Sequence, residues 1–200
     1  MFEKMTIEQY NQILASDAPT PGGGSALALV GACGCSLIKM AVEITLNKLQ
    51  QKDIDPDDWQ TNNAIASLTN SKSLLDRSTK KMFDESNLDA DAFKGILNAM
   101  HLPKDTDENK RLRTASIQKQ YHKAALVPLE LMATCSYVIN QIQPLVPHMY
   151  AYVASDAEIG ISLLKSVIEN SIKNVYANTN LIKDERLREQ LEAQAKGYLM

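Results

Sequence analysis

Apolar residues return every three or four positions along most of this 200-residue chain, which is the spacing of helices with one buried face. No convincing length of the chain alternates apolar and polar residues as a β-strand would, and there is no internal repeat. The pattern predicts an all-α fold, a multi-helix antiparallel bundle with long helices. A chain of this length can bury the core of one domain, so residues 1–200 are predicted to form a single unit.

Capping residues and prolines predict where the helices begin and end. Ser155 and Glu158 have the spacing of a capping box, and Asp55-Pro56 combines an acidic cap with a proline in the first turn. Pro128 lies inside a predicted long helix and should bend it. The predicted starts are Thr6, Gly24, Asp55-Pro56, Asp89, Thr106, Ser155 and Asp184, and the predicted ends after the first helix lie near Gln50, Ser86, Met100, Gln143, Asn178 and Lys196.

Residues 19–25 form a loop rich in proline and glycine, and a long apolar run of small residues follows it. The loop therefore leads into a helix N-terminus, where unpaired N–H groups and the helix dipole can receive a carboxylate, a phosphate or a developing oxyanion. An alternative is that the glycines only permit a sharp entry and close packing. The pattern matches neither nucleotide-binding glycine motif, so it does not indicate a nucleotide.

The apolar run 26–46 has nearly the length of a membrane span. Lys39 and Glu43 lie inside it, and each charge near the bilayer centre would cost about 2.5 to 3.5 kcal/mol. A buried helix of a soluble protein is therefore the better interpretation. The first residues lack the apolar segment of a signal peptide, so a cytoplasmic protein without membrane contact is expected.

Charge and the metal-binding residue types exclude several functions. The formal net charge of −3 argues against a nucleic-acid partner, because such proteins carry a basic surface. Three cysteines, Cys33, Cys35 and Cys135, are predicted to be small buried thiols without a disulfide. The three histidines are scattered, and no metal site is predicted.

Thr20-Pro-Gly-Gly-Gly-Ser25 and the helix after it resemble the opening signature of the cyclodeaminase and cyclohydrolase family. That family comprises the C-terminal domain of formiminotransferase-cyclodeaminase and the stand-alone methenyltetrahydrofolate cyclohydrolases. The chain departs from the family at Thr45-Leu46-Asn47-Lys48-Leu49, where relatives tend to have Thr-x-Gly-Lys-Lys. Further matches follow in the family's order: Asp89-Ala-Asp-Ala-Phe93, Leu102-Pro-Lys104, Arg113, Val127-Pro-Leu129, Ser155-Asp156, Asn174-Val175 and Asn180-Leu181.

The resemblance implies chemistry on a one-carbon unit that bridges N5 and N10 of tetrahydrofolate. It leaves two reactions open: conversion of 5-formiminotetrahydrofolate to 5,10-methenyltetrahydrofolate with loss of ammonia, and hydrolysis of 5,10-methenyltetrahydrofolate to 10-formyltetrahydrofolate. Both require a carboxylate and a proton shuttle, and the resemblance implies no metal and no cofactor beyond the folate substrate. A non-catalytic helical folate-binding or scaffold protein is the alternative from another class.

Asp89, Lys104 and Asp156 are the predicted catalytic residues, because each is a titratable residue at a predicted helix boundary and matches a family motif. Each also has a simpler interpretation. Asp89 could only cap a helix, Asp156 could only favour a helix dipole, and Lys104 could be a solvated loop residue.

The predicted substrate-binding residues belong to the glycine loop and to later polar positions. The loop would donate backbone N–H groups, and a pair of asparagines one helical turn apart would hydrogen-bond the pterin edge. An arginine would hold the glutamate tail of a substrate with one glutamate or with several. The simpler alternatives are that the asparagines lie on an exposed helix surface or cap a helix C-terminus, and that the arginine forms a surface salt bridge. These residues are Thr20, Gly22, Gly23, Gly24, Ser25, Arg113, Asn174, Asn178 and Asn180.

The small residues of the central helix bear on how the chain assembles. Ala28, Gly31, Ala32 and Gly34 are small enough to let neighbouring helices approach the central helix closely. A helix that is apolar on most sides leaves more apolar surface than one layer of neighbours covers, so a homodimer is predicted.

Overall fold

The computed structural model of the chain describes residues 1–50 and 59–199. Within this part the secondary structure is helical, with no strand, which confirms the predicted all-α fold. Short 3₁₀ helices at Phe2–Lys4 and Gln143–His148 accompany the α-helices. The α-helices are α1 (Ile7–Leu14), α2 (Gly23–Leu49), α3 (Trp59–Met100), α4 (Asp107–Ile142), α5 (Ala151–Thr179) and α6 (Glu185–Gly197).

Helix α2 lies at the centre of the bundle and packs mainly against α3 and α5, while α4 packs against α3 and α5. Small residues permit this arrangement. A Cβ atom on Gly160 would lie 2.6 Å from the Gly34 carbonyl oxygen, and one on Gly34 would lie 2.9 Å from the Gly160 carbonyl oxygen. The backbones of α2 and α5 are therefore in contact, as the small residues of α2 predict.

Local caps form where the sequence places them at the starts of three helices. Thr6 Oγ1 accepts the Gln9 N–H at 3.1 Å, and the Gln9 side chain accepts the Thr6 N–H at 2.9 Å, which completes the capping box of α1. Thr106 and Asp184 cap α4 and α6 through their side chains. Helix α4 ends at Ile142, next to the predicted boundary. The predicted start at Asp55-Pro56 lies outside the described residues.

Two predicted helix starts are wrong. Helix α3 continues without a break past Ser86, so Asp89 lies inside it and begins no helix. Helix α5 begins at Ala151, one turn before Ser155, and no side chain caps it. Its start is fixed from outside, because the buried Thr45 hydroxyl of α2 accepts the Tyr150 N–H at 3.0 Å.

The cysteines differ in exposure because residues two apart face different sides of a helix. Cys35 and Cys135 are buried, whereas Cys33 is exposed, so the prediction of burial is wrong for Cys33. All three are free thiols. Burial raises the pKa of Cys35 to about 12 and raises that of Cys135 strongly as well, which keeps both thiols protonated.

Two stretches, Gly23–Leu49 and Asp107–His148, have the length and composition of a membrane span. Half of the apolar window of the first and 56% of that of the second are buried inside the protein. Core helices of soluble proteins have the same properties, so these stretches are weak evidence for a membrane.

Candidate active site

A cleft of about 510 Å³ opens where the N-terminal end of α2 meets α3, α4 and the C-terminal end of α5. Its largest wall is one face of α3, with lining residues three or four positions apart. This wall consists of Asp89, Ala92, Phe93, Ile96, Leu97 and Met100. The rest of the cleft is lined by residues before and at the start of α2, in α4, and at the end of α5. These are Pro19, Thr20, Gly22, Gly23 and Gly24; Tyr121 and Ala124; and Asn174, Ala177, Asn178 and Leu181.

The Asp89 carboxylate reaches from α3 to the first turn of α2. Its Oδ2 accepts the Ser25 N–H at 2.9 Å, and the Ser25 hydroxyl lies 3.1 Å from the same oxygen and 2.8 Å from the Ser86 carbonyl oxygen. The Gly22 N-cap has no side chain to cap α2. Asp89 is therefore the cap of α2, supplied by a different helix, and it satisfies an N–H group that α2 cannot pair internally.

Glycine is required at Gly24, where a Cβ atom would overlap the Asp89 carboxylate. At Gly22 and Gly23 a Cβ atom would meet no heavy atom within 4 Å, because both residues border the open cleft. No glycine has a positive φ angle within the described residues. The loop therefore uses glycine to bring the α2 backbone close to Asp89 and to the cleft, and not to adopt a left-handed backbone.

Among the described residues that line the cleft, Asp89 is the one with a charged side chain. Burial raises the pKa of Asp89, and the hydrogen bonds from Ser25 lower it less than burial raises it. Oδ2 receives the bonds from Ser25, whereas Oδ1 accepts no hydrogen bond from the described residues. The cleft thus contains a buried carboxylate with one free oxygen and a strengthened affinity for a proton or a cation.

Backbone donors lie beside this carboxylate. The N–H groups of Gly23 and Gly24 belong to the first turn of α2, where no helical carbonyl is available to them. Both residues line the cleft. The α2 N-terminus can therefore donate hydrogen bonds to an oxygen or nitrogen that reacts next to Asp89.

Two of the predicted asparagines lie in the opposite wall. Asn178 donates its side-chain N–H groups to the Asn174 carbonyl at 2.9 Å and to the Ala124 carbonyl at 3.4 Å. These bonds fix the orientation of the Asn178 amide and leave its side-chain oxygen to accept. Asn174 lines the same wall one turn earlier.

The structure brings some predicted residues together and separates others. Lys104, Arg113, Asp156 and Asn180 do not line the cleft. Lys104 and Asn180 are exposed, and Arg113 donates Nε–H to the Met100 carbonyl at the cleft rim, at 3.0 Å. Asp156 lies about 27 Å from Asn174 along α5 at 1.5 Å per residue. The functional roles of these four residues stay predictions.

The other predicted residues do meet at the cleft. They are Thr20, Gly22, Gly23, Gly24, Asp89, Asn174 and Asn178, with Ser25 bound to Asp89.

Sequence reasoning missed the apolar residues of the site. Phe93 and Met100 lie on the apolar face of α3, yet they are 42% and 39% exposed and line the cleft. Tyr121 was not singled out at all, and Leu181 was named only as part of the family motif Asn180-Leu181. Helical spacing puts Phe93 and Met100 on the same face of one continuous helix as Asp89, and this pattern could have identified them.

Sequence comparisons relate the chain to proteins that are named for folate reactions. The model of the family described as Formiminotransferase-cyclodeaminase matches residues 6–197. The chain is 32% identical over 194 residues to a methenyltetrahydrofolate cyclohydrolase of Methylorubrum extorquens, a match that covers 97% of this chain and 88% of that protein. It is 30% identical over 198 residues to the formimidoyltransferase-cyclodeaminase of Rattus norvegicus, of which it spans 34%.

A structural comparison extends the similarity to the whole fold. The crystal structure of formiminotetrahydrofolate cyclodeaminase from Thermotoga maritima matches all of this chain and 94% of its own chain, with a TM-score of 0.78 and 22% sequence identity. The two chains thus have the same arrangement of helices.

Proposed function

The chain belongs to the formiminotransferase-cyclodeaminase family, and on this premise we propose that its cleft is the active site of a folate one-carbon enzyme. The reaction is hydrolysis of 5,10-methenyltetrahydrofolate to 10-formyltetrahydrofolate, with cyclisation of 5-formiminotetrahydrofolate and release of ammonia as the second candidate. The cyclohydrolase relative supports the first reaction, because the chain spans 88% of it. The family model supports the second.

The observation that carries the proposal is the buried Asp89 carboxylate beside unpaired N–H groups, in a cleft whose other described lining residues are uncharged. The methenyl bridge is a delocalised cation, and the formimino group is an amidine that is protonated at neutral pH. A carboxylate attracts either cation more strongly in a partly desolvated cleft than in water. The cleft therefore suits both substrates, and the uncharged formyl group of the hydrolysis product is held less strongly.

In the hydrolysis, water adds to the bridging carbon and gives one proton to the free Oδ1 of Asp89. The carbon becomes tetrahedral, and its new hydroxyl oxygen accepts hydrogen bonds from the N–H groups of Gly23 and Gly24. The bond from carbon to N5 then breaks as N5 takes the proton back from Asp89. The hydroxyl proton passes to the regenerated Asp89 carboxylate as the formyl group forms, and Asp89 releases it to solvent. The raised pKa of Asp89 matches this role, because a stronger base takes a proton from water more readily.

In the cyclisation, N10 attacks the formimino carbon and its proton passes to Asp89. The same carboxyl group then protonates the amino group, ammonia leaves, and the methenyl cation forms. Both directions use one carboxyl group as base and then as acid. Proton transfer suffices for these steps, and the proposed reaction includes no metal and no cofactor beyond the folate.

The rest of the cleft holds the substrate. The apolar face of α3 packs against the rings, while Asn174 and Asn178 hydrogen-bond the pterin edge and Thr20 borders the reacting centre. The glutamate tail, single or polyglutamylated, extends outside, because the described lining of the cleft has no basic side chain.

Absorbance measurements with purified protein test the function. The methenyl chromophore disappears during hydrolysis and appears during cyclisation, so the two substrates distinguish the two reactions. Asp89→Asn is the matched control, because it keeps the size of the side chain and removes the base. Folate binding without any absorbance change would instead support the non-catalytic folate-binding alternative.

A homodimer is proposed as the working form, in the cytoplasm and without a nucleic-acid partner. Helix α2 is apolar on most sides, yet it exposes Val30, Cys33 and Met40, and the neighbouring α5 exposes Tyr152 and Ile159. A second copy would cover this surface, with more than about 1,200 Å² buried in total. Light scattering should show a dimer at micromolar concentration, and a monomer would refute the proposal.

A further inference from the structure

Two polar side chains of α4 hold the backbone of apolar residues at the rim of the cleft. Arg113 donates Nε–H to the Met100 carbonyl, and Gln118 donates Nε2–H to the Leu181 carbonyl, each at 3.0 Å. Met100 is the last residue of α3, whereas Leu181 follows the end of α5. Helix α4 therefore braces two different walls of the cleft.

Gln118 holds its wall at two points. Besides its bond to Leu181, it accepts the Lys183 N–H on Oε1 at 2.7 Å. The carboxamide thus pairs with backbone groups two residues apart, as an adjacent β-strand would. Ile182 lies between these groups and is only 5% exposed, so burial and hydrogen bonding fix the same turn. The backbone bond from the Ile182 N–H to the Thr179 carbonyl is internal to the turn and does not attach it to α4.

The braced residues present apolar surface to an incoming ligand. Met100 is 39% exposed and Leu181 is 50% exposed, and both line the cleft. Met100 lies about 16 Å from Asp89 along α3. A folate whose reacting carbon lies at Asp89 therefore meets this rim with a part of the molecule that does not react.

We propose that Gln118 is a positioning residue that fixes the apolar rim at Leu181 and thereby strengthens folate binding without acting on the chemical step. The inference rests on the proposed function of the cleft. A contact that is equally strong in the ground state and in the transition state affects KM and not kcat, and we assign the apolar rim contact at Leu181 to this class. Asp89 has the opposite signature, because it acts on the reacting carbon.

The test compares Gln118→Leu with Gln141→Leu. Leucine matches the size of glutamine and removes both hydrogen bonds at position 118, while Gln141 lies about 35 Å further along α4 and makes no contact with the cleft. With 5,10-methenyltetrahydrofolate, Gln118→Leu should raise KM roughly 5- to 20-fold and change kcat less than about twofold. Gln141→Leu should change neither. In Gln118→Leu, backbone amides 180–184 should also exchange hydrogen faster than in the wild type.

Gln118→Glu keeps an acceptor for the Lys183 N–H but places a carboxylate beside the Leu181 carbonyl, so it should also raise KM while kcat is kept. A wild-type enzyme that turns over folate, together with a Gln118→Leu variant of unchanged KM, would overturn this inference alone. A fall in kcat with unchanged KM would overturn it as well. A wild-type protein that neither binds nor converts folates would overturn the proposed function first, and this inference with it.

Discussion

Glu85 is the most unusual charged residue in the protein, and its replacement by glutamine should stabilise the fold at neutral pH. Its side chain is 3% exposed, and neither carboxylate oxygen has a hydrogen-bond partner among the described residues. Lys81 Nζ lies 3.7 Å from Oε1, but the same ammonium lies 2.9 Å from the exposed Glu130. Glu85 is therefore a buried acid whose charge is only partly compensated.

The pKa of Glu85 gives the size of the stabilisation that Glu85→Gln should produce. Burial raises it from 4.5 to about 7, Lys81 lowers it, and the neighbouring Glu130 raises it further. Because the folded protein holds this proton more tightly than the unfolded chain does, folding is favoured at low pH and the advantage is lost as pH rises from 4.5 to 7. At 1.36 kcal/mol per pKa unit, the full loss is about 3 kcal/mol. Glutamine cannot ionise, so the Glu85→Gln variant avoids this loss of folding free energy.

Urea or thermal unfolding of both proteins at pH 5, 6, 7 and 8 measures this effect. The stability of Glu85→Gln relative to wild type should increase by about 2 kcal/mol between pH 5 and pH 7 and change little above pH 8, which corresponds to about 4 to 8 °C in Tm for a chain of this size. Titrating groups common to both proteins, including Asp89, cancel in the difference. Glu189→Gln makes the same change at an exposed site and should show no such trend. Parallel pH profiles for wild type and Glu85→Gln would refute the reasoning.

Three further predictions concern the cleft. Asp89→Asn should lower turnover by roughly 10²-fold or more with little change in Tm, since asparagine still caps α2 but cannot take a proton; near-normal turnover would make Asp89 a cap only. The family resemblance predicts the same fall for Asp156→Asn, and because Asp156 is remote from the cleft of its own chain, such a fall would mean that it serves a cleft shared with another copy. Gly24→Ala should lower turnover at least 10-fold by displacing Asp89, whereas Gly23→Ala should be tolerated. Gly23→Val should weaken folate binding by filling the cleft. The measurements are kcat and the dissociation constant of the folate.

The sequence predicts those features of the fold that depend on neighbours along the chain. Thr6, Thr106 and Asp184 cap their helices through residues three positions later, and the glycine loop does lead into a helix N-terminus. The errors have long-range causes. Ser155 has a local capping signature, but Thr45 fixes the start of α5 from another helix, over a separation of 105 residues. Local patterns contain no information about such contacts.

The same distinction applies to the cleft. Periodicity shows that Phe93 and Met100 share a face of α3, but it cannot show whether that face is covered by another helix or borders a cleft. The family resemblance selects Asp89 as a functional residue, yet its geometry depends on Ser25, 64 residues earlier. Gly24 illustrates the limit: the sequence suggests that glycine is needed there, whereas only the packing shows that the Asp89 carboxylate is the reason.

The capping of α2 by Asp89 also explains how the cleft tolerates a carboxylate before a ligand arrives. Ser25 and the positive end of the α2 dipole stabilise the charge, but burial outweighs them and the pKa of Asp89 is raised. A cationic one-carbon unit would supply the compensation that the protein leaves incomplete. Binding of a cationic folate should therefore strengthen as pH rises through the pKa of Asp89, whereas binding of an uncharged folate analogue should not. In the proposed reaction the same incomplete compensation would both favour the substrate cation and let Asp89 accept a proton, because a fully paired carboxylate would be too weak a base.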